Sequence, residues 1–266
     1  MRVAVVLALG AAVAGTAGAA PRPHVERARL GSVEATFSYT YNRAKFRFAN
    51  QHLTIRRAGS TRFSARLRRL CDYCDVQPAN FWTSKRSVSI RDLDGDGEPE
   101  VLLDLYWGGA HCCWYTEIYR YAGTYHRLSH VWGNPDYKLR YLDGLPEFVT
   151  GDDRFAYAFA SFADSTWPVR ILRYRAGRFV FVTTAYPREI GRDATRQWRW
   201  AMARKKAGDN QGILAAWAAD ECMLDHCAAA FATIDHLART GRLHGEASAP
   251  KYMKHLRRFL RRTGYL

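Results

Sequence analysis

The chain has 266 residues, 48% of them hydrophobic, enough for one β domain and one small helical domain, each with its own core. Its 40 Lys and Arg stand against 25 Asp and Glu, a net charge of +15 that attracts polyanions. No groove-reading motif accompanies that charge, which argues against a specific nucleic-acid reader. Beyond the first 20 residues no run of roughly 18 uncharged apolar residues occurs, which argues against a membrane-spanning helix.

Met1 to Ala20 carries Arg2, an apolar core from Val3 to Val13, and Ala17, Gly18, Ala19 and Ala20 ahead of Pro21. This is the pattern of a secretory signal peptide, with cleavage expected after Ala19 or Ala20. Removal of Arg2 leaves 39 basic against 25 acidic residues, or +14. The expected location is therefore secreted, periplasmic or at the cell envelope.

Residues 21–187 are rich in Val, Ile, Tyr, Phe and Thr in short alternating runs, which predicts an antiparallel β domain. Its most informative stretch is Asp92-Leu93-Asp94-Gly95-Asp96-Gly97-Glu98-Pro99-Glu100. Acids at the first, third and fifth positions, a glycine that permits a sharp turn and a closing acid at the ninth suit a hard divalent cation, expected to be calcium. An EF-hand is unsuitable, because its twelfth position would be Leu103 and Pro99 would break the following helix. The flanking runs from Ser87 to Ile90 and from Glu100 to Tyr106 read as strands. The expected ligands are the side chains of Asp92, Asp94, Asp96 and Glu100 and the backbone carbonyl of Glu98.

The pattern closely resembles the calcium loop of FG-GAP repeats, also called VCBS repeats, of integrin-alpha-type propellers and many secreted bacterial proteins. An internal repeat widens the resemblance: Ile118-Tyr119-Arg120-Tyr121-Ala122-Gly123 recurs as Ile171-Leu172-Arg173-Tyr174-Arg175-Ala176-Gly177, and faintly as Ile55-Arg56-Arg57-Ala58-Gly59. Leu142-Asp143-Gly144-Leu145-Pro146-Glu147-Phe148 echoes the acidic loop with Tyr141 in place of its first acid, so this second loop is expected to bind nothing. The resemblance implies a well-formed unit at 87–132, a degenerate one at 137–183 and a third at 32–70, each a blade-like antiparallel sheet with calcium stitching a loop at the edge. Three units cannot close a propeller of at least four blades. An incomplete, propeller-like stack or a compact antiparallel assembly capped by helices follows.

Six cysteines, Cys71, Cys74, Cys112, Cys113, Cys222 and Cys227, predict disulfides in an exported chain. Adjacent cysteines on a strand point to opposite faces, which favours crosslinks from Cys112 and Cys113 to Cys71 and Cys74. The rival is a zinc site from those four thiolates with His111. A Cys222–Cys227 bond requires a helix break near Leu224 to His226, since the two residues lie on different sides of a continuous helix.

Residues 188–266 are rich in Ala, Leu, Lys and Arg at helical spacing and form the expected helical domain, giving an α+β fold. Helices are expected from Asp193 to Met202, Gln211 to Cys222, Ala228 to Arg239 (ended by Gly241) and Lys251 to Arg262. The last carries Tyr252, Leu256, Phe259 and Leu260 on one face, and Lys254, Arg257, Arg258, Arg261 and Arg262 on the rest as a candidate surface-binding face. This part resembles C-terminal regions of secreted bacterial proteins of unknown activity.

No GxSxG, HExxH or P-loop is present. His111 beside Cys112, with Asp104 nearby, lacks a thiolate if the cysteines are oxidised. Tyr106, Trp107, Trp114, Tyr115, Tyr119 and Tyr121 are either core or a sugar-stacking face. The sequence thus reads as a secreted, calcium-binding, disulfide-stabilised binding or structural module at the cell envelope. Its expected partners are an anionic cell-wall polymer, a membrane surface or an extracellular protein. A secreted hydrolase with a structural calcium is the alternative.

Overall fold

A computed structural model describes residues 23–68, 76–110, 112–204 and 208–266. The expected signal peptide, Cys71, Cys74 and His111 lie outside the described residues.

Three antiparallel sheets precede four helices, the α+β arrangement expected. The first sheet is a meander of β1 (His24–Leu30), β2 (Val33–Asn42), β3 (Arg47–Arg57) and β4 (Ser60–Arg66). The second holds β5 (Gln77–Pro78), β6 (Val88–Arg91), β7 (Glu100–Tyr106), β8 (Trp114–Ala122) and β9 (Thr124–Gly133), with β5 and β6 both paired to β7. The third is the meander β10 (Lys138–Tyr141), β11 (Pro146–Gly151), β12 (Val169–Arg175) and β13 (Arg178–Phe181).

Strand alternation explains how the sheets stack. In β7, Val101, Leu103 and Leu105 join Val33, Ala35, Phe37 and Tyr39 of β2 in one core, while the intervening Leu102 joins Phe148, Leu172 and Tyr174 of the third sheet in another. The second sheet is thus covered on both faces, and β7 reads as a nearly continuous apolar run. The third sheet repeats the logic, its β12 residues Val169 and Ile171 facing Ile190, Met223 and Leu224 of the helical part. The described sheets form an open stack, with no closed barrel among them.

The helices are α1 (Pro187–Ala203), α2 (Gln211–Met223), α3 (Cys227–Arg239) and α4 (Ala249–Thr263). Pro at the first turn of α1 suits a position whose N–H has no helical partner. α2 is buried from Gln211 through Asp220 because α1, α3 and α4 surround it. α4 ends in a left-handed cap at Gly264, where Tyr265 N–H donates to the Leu260 carbonyl. One feature lies outside the sequence expectation: the segment between β11 and β12 packs Phe155 and Phe159 into the helical core. A side chain at Gly212 of α2 would meet the Asp164 carbonyl at 2.5 Å, so glycine is needed where this segment crosses the helix.

The cysteines both support and correct the expectation. Cys222 lies in the last turn of α2 and Cys227 opens α3, and the break at Leu224, Asp225 and His226 brings their Cα atoms to 4.2 Å for a disulfide. Closing so short a loop restricts the unfolded chain by about 2 kcal/mol on loop entropy alone. Cys112 and Cys113, by contrast, are bonded to each other, not to Cys71 and Cys74. Both lie in the turn before β8, not on a strand, so strand alternation does not apply to them, and their Cα atoms stand 3.0 Å apart across a cis peptide. The same bond removes the four-thiolate zinc site, since neither sulfur is a free thiolate.

Candidate metal centre

The acidic loop joins β6 to β7 and turns at Gly95 and Gly97, whose φ values of 77° and 84° lie in the left-handed region. Asp92 ties the turn together, accepting from Gly95 N–H at 2.8 Å and Gly97 N–H at 3.1 Å. Carboxylate oxygens of Asp92, Asp94 and Glu100 all lie within 4.8 Å of one another. Three of the five expected ligands therefore converge, as the alternating spacing implies.

The other two side chains turn elsewhere. Asp96 accepts from Arg120 Nη2 at 2.8 Å and from Glu98 N–H at 2.8 Å and is not among the three converging carboxylates. Glu98 forms a bidentate pair with Arg57 at 2.8 and 2.7 Å, so only its carbonyl stays available, the role expected of it.

Contacts from all three sheets meet at this loop. Arg57 reaches it from the end of β3, and Arg120 from β8. Ala176 N–H, in the β12–β13 turn, donates to Asp94 Oδ2 at 2.9 Å. A side chain on Gly95 would press Leu145 of the degenerate loop at 2.9 Å. The loop is thus a junction between sheets, and its conformation bears on how they sit together.

Its electrostatics are unbalanced. Glu100 is fully buried, and burial first, then Asp94 and Asp96, pushes its carboxyl up to about 8. Glu100 Oε2 accepts from Leu93 N–H at 3.0 Å, whereas Glu100 Oε1 and Asp94 Oδ1 are buried without a hydrogen-bond partner among the described residues. Arg120 Nε stands 3.9 Å from Asp94 and 3.8 Å from Glu100, beyond hydrogen-bond reach. One guanidinium, Arg120, is shared by three acids, Asp94, Asp96 and Glu100.

The degenerate loop is closer to balance. In the strand ladders Glu147 pairs with Arg173, and the step beyond Val101–Tyr119 sets Glu100 opposite Arg120. Arg173 bonds both Glu147 and Asp143, and Tyr186 O–H donates to Glu147 at 2.9 Å. With one buried acid, one exposed acid and one arginine, this site carries a smaller excess of negative charge than the acidic loop. The residues at the acidic loop fit a divalent cation for the opposite reason: Asp94, Asp96 and Glu100 share the single Arg120, and Asp92 adds a fourth carboxylate beside them.

The remaining candidates resolve structurally. Asp104 is buried and accepts from Thr116 Oγ1 at 2.6 Å and Tyr137 O–H at 2.9 Å. It is a bridge between the second and third sheets. Tyr115 and Tyr119 are core residues, whereas Trp114 and Tyr106 line a surface cup. Lys254, Arg257, Arg258, Arg261 and Arg262 are exposed on α4, and Tyr252, Leu256, Phe259 and Leu260 are buried beneath them.

Known proteins are similar to parts of this chain. Residues 190–264, covering most of the helical part, match the family described as the sll0997 C-terminal domain. The probable thylakoid lumen protein sll0997 of Synechocystis sp. is 28% identical over 151 residues, covering 52% of this chain and 43% of that protein. The uncharacterized protein y4bJ of Sinorhizobium fredii is 26% identical over 135 residues, covering 48% of this chain and 21% of that protein. The chain thus spans less than half the length of these curated relatives. No solved structure matches.

Proposed function

We propose that this chain is an extracytoplasmic module in which one calcium ion braces three blade-like sheets of FG-GAP type and a basic helix attracts anionic envelope material. The observation that carries it is the pair of buried, unpartnered oxygens, Asp94 Oδ1 and Glu100 Oε1, on two of the three carboxylates that converge with Asp92. Such oxygens are costly unless a cation satisfies them. Asp92, Asp94 and Glu100 would hold the ion, with the Glu98 carbonyl and water completing the shell. An extracytoplasmic compartment agrees with the leader sequence, with the two disulfides and with a relative described as a probable lumen protein. Calorimetric titration of chelator-stripped protein should show one calcium site. Absence of binding heat, or equal heat from Asp94→Ala plus Asp96→Ala, overturns the calcium reading.

The envelope reading rests on α4. Its five exposed cations project from a helix whose apolar stripe is already spent on the core, so charge rather than insertion supplies the attraction. Reversing Arg257, Arg258, Arg261 and Arg262 to Glu should reduce co-sedimentation with anionic vesicles or wall polymer severalfold at low salt. Binding of the native protein should fall steeply towards about 0.15 M salt, where screening acts beyond roughly 8 Å. Equal binding by native and reversed proteins, or indifference to salt, removes this part of the function.

A further inference from the structure

We infer that the aromatic cup beside the Cys112–Cys113 disulfide is a binding site for a neutral sugar residue. The cup encloses about 490 Å³ and is walled by Trp82, Tyr106, Trp114, Phe162 and Cys112, with Asn134 at its polar side. That volume falls in the range of small-molecule sites, roughly 300–1,000 Å³. It is separate from the acidic loop and from α4, and the inference rests on neither.

The composition of the cup is unusual for this protein. On a chain with 40 Lys and Arg, none lines it among the described residues, and no Asp or Glu does either. An anionic or cationic ligand would find no counter-charge, so the occupant is uncharged. The walls are rings, and Trp82 is 55% exposed, a large apolar surface left in water.

That exposure is held in place. Trp82 Nε1–H donates to Gln77 Oε1, and the indole meets Phe81 edge-on at 5.3 Å and Tyr106 at 5.9 Å. Tyr106 packs on Trp114 at 4.8 Å and its O–H donates to the Gly109 carbonyl. Gly109 lies so close to the Cys112 carbonyl that a Cβ would stand 2.4 Å from it, which fixes the turn carrying the disulfide wall. A preorganised ring loses little entropy on binding.

Ring geometry and polar groups choose the ligand class. The three rings are tilted by 63° and 46° to their neighbours, a cup rather than the parallel slot a flat aromatic ligand would need. A pyranose offers an apolar C–H face for such a ring and hydroxyls around its edge. Asn134 is anchored to Asp153 at 2.7 Å through Nδ2, and its Oδ1 is buried without a hydrogen-bond partner among the described residues, so a ligand hydroxyl that reached it would satisfy it. Backbone groups of Gly108 and Gly109 lie at the same rim.

The test is tryptophan fluorescence and ligand-observed NMR on the oxidised, full mature chain with chitotriose, cellotriose and maltotriose. Titrations run at about 0.5 M salt, where attraction to exposed charges such as those of α4 is screened, so a failure here is distinct from a failure of the envelope reading. Saturable binding of at least one of these neutral sugars is expected. Trp82→Ala and Trp114→Ala should each weaken it by about tenfold or more, as for a central aromatic contact, while Trp82→Tyr retains most of it. Because Trp82 is half exposed, an unchanged melting temperature should accompany the loss in Trp82→Ala. No saturable binding of any of the three sugars up to about 10 mM, a limit near −3 kcal/mol, overturns the inference. So does undiminished binding by Trp82→Ala, or saturation of the cup by a polyproline peptide but by no sugar.

Discussion

Stripped of divalent cations, the protein should lose stability as pH rises from about 6.5 to 8, by about 2 kcal/mol from Glu100 alone. Burial pushes that carboxyl from an ordinary 4.5 up to about 8. Between these values the unfolded chain has released the proton while the folded chain retains it, so folding takes up a proton and stability falls with pH. Asp220, fully buried and pushed well above the carboxylate range by burial, acts in the same direction. His130 works oppositely but lower down. Burial holds it near 4 instead of 6.5, so its contribution is lost as pH falls through that window. Asp104, raised to about 6 by burial, offsets much of the His130 effect between about 4 and 6. Above 6.5 the acids are left to set the slope. Calcium at millimolar concentration should take the place of the Glu100 proton and flatten most of it, and Glu100→Gln should flatten it without calcium. Melting curves from pH 5.5 to 8.5 with chelator and with calcium decide the matter; identical slopes in the two would sink the cation account.

Arg173→Met should destabilise the protein by about 3–5 kcal/mol, the cost of stranding a buried carboxylate by removing its partner. Glu147 is fully buried and Arg173 is only 12% exposed, while burial and hydrogen bonding to Asp143 and Glu147 surround the guanidinium with acceptors. At roughly 2–4 °C per kcal/mol for a chain of this size, the melting temperature should drop by about 10 °C or more. Adding Glu147→Gln should recover a large part of the loss, because the amide leaves no charge to bury. Asp143→Ala, at the exposed end of the same network, should cost within about 0.5 kcal/mol. A loss in Arg173→Met no larger than that in Asp143→Ala would show that Arg173 is not the internal cation of the third sheet. Calcium should not rescue Arg173→Met, since Tyr141 stands where the acidic loop has Asp92 and only Asp143 and Glu147 remain.

These two sites show which parts of the protein are local and which are not. Alternating acids with glycines determine a turn because each constraint spans only a few residues, so Asp92, Asp94 and Glu100 converge as the spacing alone implies. The same holds for the helices, whose caps, apolar stripes and breaks are short-range signals; the interruption at Leu224 to His226 that permits the Cys222–Cys227 bond is legible on helical periodicity alone. The three sheet units are likewise marked by the recurrence at Ile55, Ile118 and Ile171.

Only the tertiary structure decided what each local unit touches. Arg57 pairs with Glu98 across 41 residues and Ala176 with Asp94 across 82, separations over which no periodicity carries information. The turn that joins Cys112 to Cys113 depends on Gly109 meeting the Cys112 carbonyl, so a rule for strands pointed to the wrong partners. Trp82 and Trp114, 32 positions apart and indistinguishable from core aromatics in a β-rich stretch, become walls of one cup because β5 and β8 both pair with β7. Sequence determines turns, helix ends and the order of strands through neighbouring atoms; which rings and charges are left facing water or one another is set by how the sheets stack, a property of distant segments taken together.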